Sequence, residues 1–325
     1  MLFAFAAHAQ DENIYRNIIY KAETELTKGN YKAAVKQYQT AFRVEKNPFS
    51  SDLINAFKAA LLSGSRKEIK SLWVEGRNDV YFVKQVKKDE LLLSYTHPSL
   101  RKKVRSYSVI EWPKTRLEQI TDSILNEDQA LRNRCPNNLR SECIELFKQR
   151  DSVHVFFLRD LLLAKPYTRK DLSSSVLKCL NIIALHARRF GYTTLDSLFI
   201  SYTKKGFIRP NLYAGLNTYQ TDLSEDTKKK LAALPKLGFG QSYIQINDTA
   251  FLIRLPDSMT AIYNKNRHDL LMDDVHREMA KFRFAWSQPL FKKSFADLGL
   301  FNAKEHMSKN EEKELIDRLR PILIQ

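Results

Sequence analysis

Five residues in the middle of this chain have types and spacings that suit chemistry. Asp128 and Arg132 stand at i, i+4, neighbouring positions on one helix face where a carboxylate and a guanidinium can pair. Gln129 lies beside them, and Glu127 adds another carboxylate just before. His186 ends the apolar run of Leu180, Ile182, Ile183 and Leu185, at the edge of a helix face, and histidine titrates near neutrality. Two readings follow. In one, Asp128, Gln129 and Arg132 are the polar wall of a pocket, and His186 works with Asp128 or Glu127 as the base of a hydrolase. In the other, Asp128 and Arg132 form a strut between helices and His186 is a satisfied core histidine. The strut is favoured, because buried ion pairs commonly fix helix packing without doing chemistry and no nucleophile adjoins His186.

Asp269, Asp273 and His276 fall at i, i+4 and i+7 of a helix expected from Ser258 to Ala285, a spacing that could begin a metal site. With no second source of ligands it reads as a solvated charged face, so no metal and no cofactor is expected. The cysteines Cys135, Cys143 and Cys179 form no C-x-x-C pair and no zinc pattern. Pro136-Asn137-Asn138 breaks any helix between the first two, so they could close a short loop in an oxidising compartment or stay open. Cys179 reads as a small buried hydrophobe. There is no H-E-x-x-H, G-x-S-x-G, Walker loop, EF-hand loop or kinase set. A glycosidase-like carboxylate pair leaves no short signature, so that class stays open.

The elements that must position these residues read as helices. With 43% hydrophobic and 28% charged residues, the composition is that of a folded protein rather than a disordered one. Only 9 glycines leave little material for the phosphate loops of nucleotide-binding α/β folds. The formal net charge of +16 favours an anionic partner, and its densest cluster is Lys84, Lys87, Lys88, Arg101, Lys102, Lys103 and Arg105. The expected partner is a protein or peptide, with an anionic envelope polymer or lipid surface as alternatives. No run approaches the roughly 20 apolar residues that span a bilayer.

Ile14, Ile18, Ala22 and Leu26, then Tyr31, Ala34, Val35, Tyr38, Ala41 and Phe42, repeat with helical period on either side of Gly29. The set Ala22, Gly29, Tyr31, Ala34, Tyr38, Ala41 with Asn47-Pro48 resembles a tetratricopeptide repeat. A degenerate second unit spans Asp52 to Trp73. The resemblance implies a concave surface over Tyr31 and Tyr38 for a peptide or protein. Leu91 to Val109 reads as an irregular connection, because His97-Pro98 disfavours helix at the residue before proline. Helices are then expected from Lys114 to about Cys135, and over Arg140 to Lys165, Lys170 to Phe190 and Leu195 to Lys205. Tyr243–Ile246 and Ala250–Leu255 suggest a hairpin, and Ser308 with Glu311 a capping box opening a last helix.

Asp128-Gln129-x-x-Arg132, Asp151-Ser-Val153 and Ile182-Ile-Ala-Leu-His186 resemble a helical domain of unknown function found in exported Gram-negative proteins. Tyr213-Ala214 and Tyr263-Asn264-Lys-Asn-Arg267 resemble its downstream elements. Lys165-Pro-Tyr-Thr-Arg-Lys170 and Gly238-Phe-Gly-Gln-Ser-Tyr243 depart from it. The resemblance implies no activity, but with the polar edges of the helix faces it leads to one expectation: Asp128, Gln129, Arg132, His186, Asn264 and Arg267 converge. Residues 1–9 end in Ala7-His8-Ala9 and read as the tail of a signal peptide whose start lies upstream of Met1, so the protein is expected to be periplasmic or secreted. With export, nucleic acid drops well down the list of partners. The expected architecture is mainly α: a signal-peptide remnant over 1–9, a tetratricopeptide-like region over 10–113, and a helical domain with one small hairpin over 114–325.

Overall fold

The computed structural model describes residues 2–108, 113–135, 141–165, 167–169, 171–210, 212–213, 243–246, 249–253, 257–291 and short pieces at 302–303, 310, 313 and 323–324. It is mainly helical. Most of the expected helix over Ser308 to Leu319, most of the 238–243 segment and Ala214 lie outside the described residues. Two compact units are formed, Met1–Trp112 with Gly240–Gln325, and Pro113–Phe239.

The first unit begins with α1 (Leu2–Thr27) and α2 (Tyr31–Val44). Gly29, at φ 76°, occupies the left-handed position that ends α1 at no Cβ cost. Gly29 N donates to Leu26 O and Asn30 N to Glu25 O, the paired bonds of a Schellman turn. The small residues Ala22, Ala34 and Ala41 are fully buried where the two helices meet. Then come α3 (Ser50–Ser63), α4 (Arg66–Gly76), α5 (Val80–Lys88), α6 (Glu90–Ser94) and α7 (Pro98–Ser106). The segment expected to be irregular is thus largely helical. Pro98 sits at the first position of α7, where a missing N–H costs nothing, and His97 is its extended N-cap, its Nδ1 accepting from Ser99 N. Asp79 and Asp89 cap α5 and α6. At Gly76 a Cβ would lie 2.6 Å from the Phe82 ring, so glycine is what lets Phe82 pack between Phe57 and Trp73.

The C-terminal part of this unit holds β1 (Tyr243–Ile246), β2 (Thr249–Ile253), α12 (Asp257–Asp269), α13 (Val275–Ser287), a 3-10 turn at Pro289–Phe291, β3 (Asn302–Ala303) and β4 (Leu323–Ile324). β1 and β2 pair antiparallel in a sheet of order β3-β1-β2-β4. The sequence-based boundary placed 114–325 together, whereas here Gly240–Gln325 groups with the N-terminal helices. The physical reason is side-chain chemistry far apart in sequence. Lys281 on α13 pairs with Glu23 on α1 and with Asp273. Tyr20 OH donates to Leu271 O, and Ala285, Leu290 and Phe291 join the α1–α7 core. The single helix expected over Ser258 to Ala285 is two, broken where Leu271 takes φ 58° and Asp274 caps α13 by accepting from Arg277 N. Asp269, Asp273 and His276 therefore share no helix face.

The second unit packs α8 (Arg116–Arg134), α9 (Ser141–Leu163), α10 (Ser174–Arg188) and α11 (Asp196–Lys204). A reciprocal capping box between Thr115 and Glu118 starts α8. Its buried side carries Leu117, Thr121, Ile124 and Asp128, and α9 buries Phe147, Asp151, Val155, Leu158 and Leu162. Cys135 and Cys143 are disulfide-bonded, with Cα atoms 6.1 Å apart. Among the described residues no helix is long and apolar enough to cross a membrane.

Candidate functional site

In the second unit a polar cluster interrupts the apolar seam between α8, α9 and α10. Asp128 and Arg132 project from one face of α8, and Arg132 Nε donates to Asp128 Oδ1 at 3.1 Å. The same guanidinium donates through Nη2 to Asp151 Oδ1 on α9 at 2.6 Å, and its Cζ lies 4.7 Å from the centre of the Phe147 ring. Gln129 donates to Asp128 Oδ2 at 2.8 Å. From α10, His186 Nδ1 approaches Asp128 Oδ1 at 3.2 Å, across 58 residues of sequence. One guanidinium and one imidazole thus serve two carboxylates, whose side chains are each 1% exposed.

The two carboxyls respond to this setting in opposite directions. Burial pushes Asp128 up, but the His186 bond and charge, the Arg132 charge and the Gln129 bond outweigh it and hold the group below the ordinary aspartate range. For Asp151 burial prevails over Arg132, with the Asp128 charge acting the same way as burial, and the carboxyl is raised. Cys179 on α10 is pushed up to about 12, first by burial and then by the charges of Asp122 and Asp128, so it is an inert thiol at neutral pH.

Four of the six residues expected to converge meet here: Asp128, Gln129, Arg132 and His186. Asn264 and Arg267 belong to the other compact unit, each with local work. Asn264 Oδ1 accepts from Val275 N at 2.8 Å, and Arg267 pairs with Glu278 and donates to Asp273 O, which fastens α12 to α13. Glu127 points away from Asp128 to Arg150, at 3.4 Å, and His154, at 3.6 Å. Asp151 was not singled out for chemistry in the sequence, although an acidic residue spaced i, i+4 between Phe147 and Val155 on a buried helix face is a readable signal. The arrangement is nearly closed, with His186 13% and Arg132 15% exposed in their side chains. Such closure and mutual pairing suit a strut better than a substrate pocket.

The surface expected over Tyr31 and Tyr38 is not available at Tyr38, which is fully buried; Tyr31 is half-buried and its hydroxyl accepts from Gln288. A cleft of about 330 Å³ opens elsewhere on the first unit, among α3, α4 and the turn from α6 into α7. Leu61, Ile69 and Leu100 are its buried floor. Arg66, Lys70, Tyr95 and His97 stand exposed around it. Arg101 holds the turn by donating to Ser94 O at 2.9 Å and Thr96 O at 3.1 Å. Sequence reading missed this cleft because its wall comes from helices joined across a segment taken as irregular. Against known proteins, no family model, no curated sequence and no solved structure matches this chain.

Proposed function

We propose that the chain is an exported interaction protein whose first unit binds an acidic segment of a partner protein in the cleft floored by Leu61, Ile69 and Leu100. That cleft carries the reading. Its volume of about 330 Å³ is at the low end for ligand pockets, enough to seat side chains of an extended peptide but not to enclose a large ligand. The floor is apolar and the rim cationic, with Arg66 and Lys70 exposed, a combination that suits alternating apolar and acidic side chains. Lys102 and Lys103, exposed on α7, and the overall charge of +16 extend the same preference outward. Likeness of α1 and α2 to a tetratricopeptide pair belongs to this proposal, as does export, which the Cys135–Cys143 bridge supports because disulfides persist in oxidising compartments.

Hydrolysis by His186 with Asp128 is the second reading, and the 3.2 Å contact between them favours it. Against it, Asp128 at 1% exposed offers an envelope polymer no surface to reach.

Fluorescence anisotropy with a labelled peptide of alternating Glu and Leu tests the proposal, with an alternating Lys and Leu peptide as the control. Exposed ion pairs contribute up to about 1 kcal/mol each, so reversing two charges, Arg66→Glu with Lys70→Glu, should weaken the acidic peptide by about tenfold or more. Equal affinity for both peptides, or no loss in the double variant, would refute it.

A further inference from the structure

The geometry points to a divalent metal site of the zinc type in the second unit, with Asp128, Asp151 and His186 as ligands. The three residues come from three different helices, which is why no ligand spacing marks them in the sequence. Each offers one ligand atom, and these atoms all lie within 4.8 Å of one another. Two ligands about 2.1 Å from a tetrahedral ion are separated by roughly 3.4 Å. His186 Nδ1 and Asp128 Oδ1 already stand 3.2 Å apart, so one edge of the coordination polyhedron is in place and Asp151 needs only a short inward shift.

A second, independent observation is the unused oxygen of Asp151. Its Oδ1 accepts from Arg132, but Oδ2 is buried and has no hydrogen-bond partner among the described residues, in a residue only 1% exposed. A buried carboxylate oxygen left unpaired is costly, and a cation removes the cost. Formal charge says the same: two carboxylates face one guanidinium, so positive charge is in deficit when His186 is neutral. Arg132 and Gln129, bonded to Asp128 Oδ1, Asp151 Oδ1 and Asp128 Oδ2, then act as the outer groups that hold ligating carboxylates in orientation. On binding, the ion takes the place of the proton between His186 Nδ1 and Asp128 Oδ1; the ligating imidazole stays neutral with its one proton on Nε2, so a proton leaves to solvent only from the imidazolium form. One imidazole with two carboxylates is a nitrogen and oxygen set suited to Zn²⁺, and three protein ligands leave one position for water. This inference is independent of the cleft, which belongs to the other unit.

The test uses the full chain, stripped with chelator and titrated with Zn²⁺ by calorimetry, with visible absorption of Co²⁺ as a report of coordination. One saturable equivalent is expected, weakened at least tenfold in Asp151→Asn and in His186→Gln but kept in His276→Gln, which alters an exposed histidine of α13. If Asp151→Asn does not fold, His186→Gln carries the comparison, and Zn²⁺ should raise the thermal midpoint of the unaltered protein. Absence of saturable binding, or equal binding in the unaltered protein and His186→Gln, would overturn the site.

Discussion

Replacing Arg132 with Ala removes the one guanidinium that bonds both Asp128 and Asp151, leaving two carboxylates at 1% exposure, of which Asp128 keeps the His186 and Gln129 contacts. Breaking a buried pair from one side costs about 3–5 kcal/mol, and loss of the stacking on Phe147 adds roughly 0.5–1 kcal/mol. Urea denaturation followed by circular dichroism, with chelator present, should therefore show about 4–5 kcal/mol of lost stability at pH 7. Trp73, Trp112 and Trp286 all belong to the first unit, so the tryptophan fluorescence transition should move less than the helical one. The sign of the pH dependence follows from the two carboxyls. Asp128 is held low, so its contribution is present above the ordinary aspartate range and is lost as pH falls through its folded value. Asp151 is raised, so its contribution is present below the ordinary range and is lost as pH rises through its folded value. Without Arg132 both carboxyls move upward, and the variant recovers relative stability as pH falls and they protonate. A loss below about 1 kcal/mol at pH 7, or a deficit that grows on acidification, would refute the strut.

Three other outcomes follow from the same structure. Gly76→Ala gains helix propensity but drives a Cβ to 2.6 Å from the Phe82 ring, which is packed against Phe57 and Trp73; overpacking of about 1–3 kcal/mol should win and lower the midpoint, and a stabilised variant would contradict the packing. Cys135→Ser opens the bridge to Cys143, which closes a separation of 8 residues, and should cost roughly 2.5 kcal/mol by loop entropy; reduction should cost the unaltered protein as much and the variant nothing. N-terminal sequencing of material exported from a Gram-negative host should begin at or next to Gln10, whereas an intact Met1 in cytosolic protein would remove the export proposal and restore nucleic acid as a partner.

How legible each feature was depends on whether its cause is local. Ala22, Gly29, Ala34, Tyr38 and Ala41 announce the α1–α2 pair because close helix approach demands small residues at fixed spacing, and all of them but Gly29 are fully buried. Thr115 and Glu118 carry an equally local signal for the start of α8, a reciprocal capping box, which the sequence reading did not use. The Asp128–His186 contact was readable from polar groups at the edges of apolar faces, which need partners when buried. Asn264 and Arg267 carried the same signal but met it locally, and nothing in one chain's pattern separates the two cases. Pro98 was read as a breaker because its preceding residue cannot be helical, yet that rule also permits a helix to begin at the proline. Least legible was the grouping of Gly240–Gln325 with the front of the chain, since the Lys281–Glu23 pair spans 258 residues and neither residue is unusual in its own segment.

Binding of an acidic peptide in the α3–α7 cleft is the central claim, and amine labelling of lysines with and without the Glu-Leu peptide tests it most directly. Lys70 stands exposed at the cleft, whereas Lys32 and Lys36 lie exposed on α2. Saturating peptide should slow acetylation of Lys70 severalfold and leave Lys32 and Lys36 unchanged. Bound peptide with Lys70 labelled at its free rate would contradict the account.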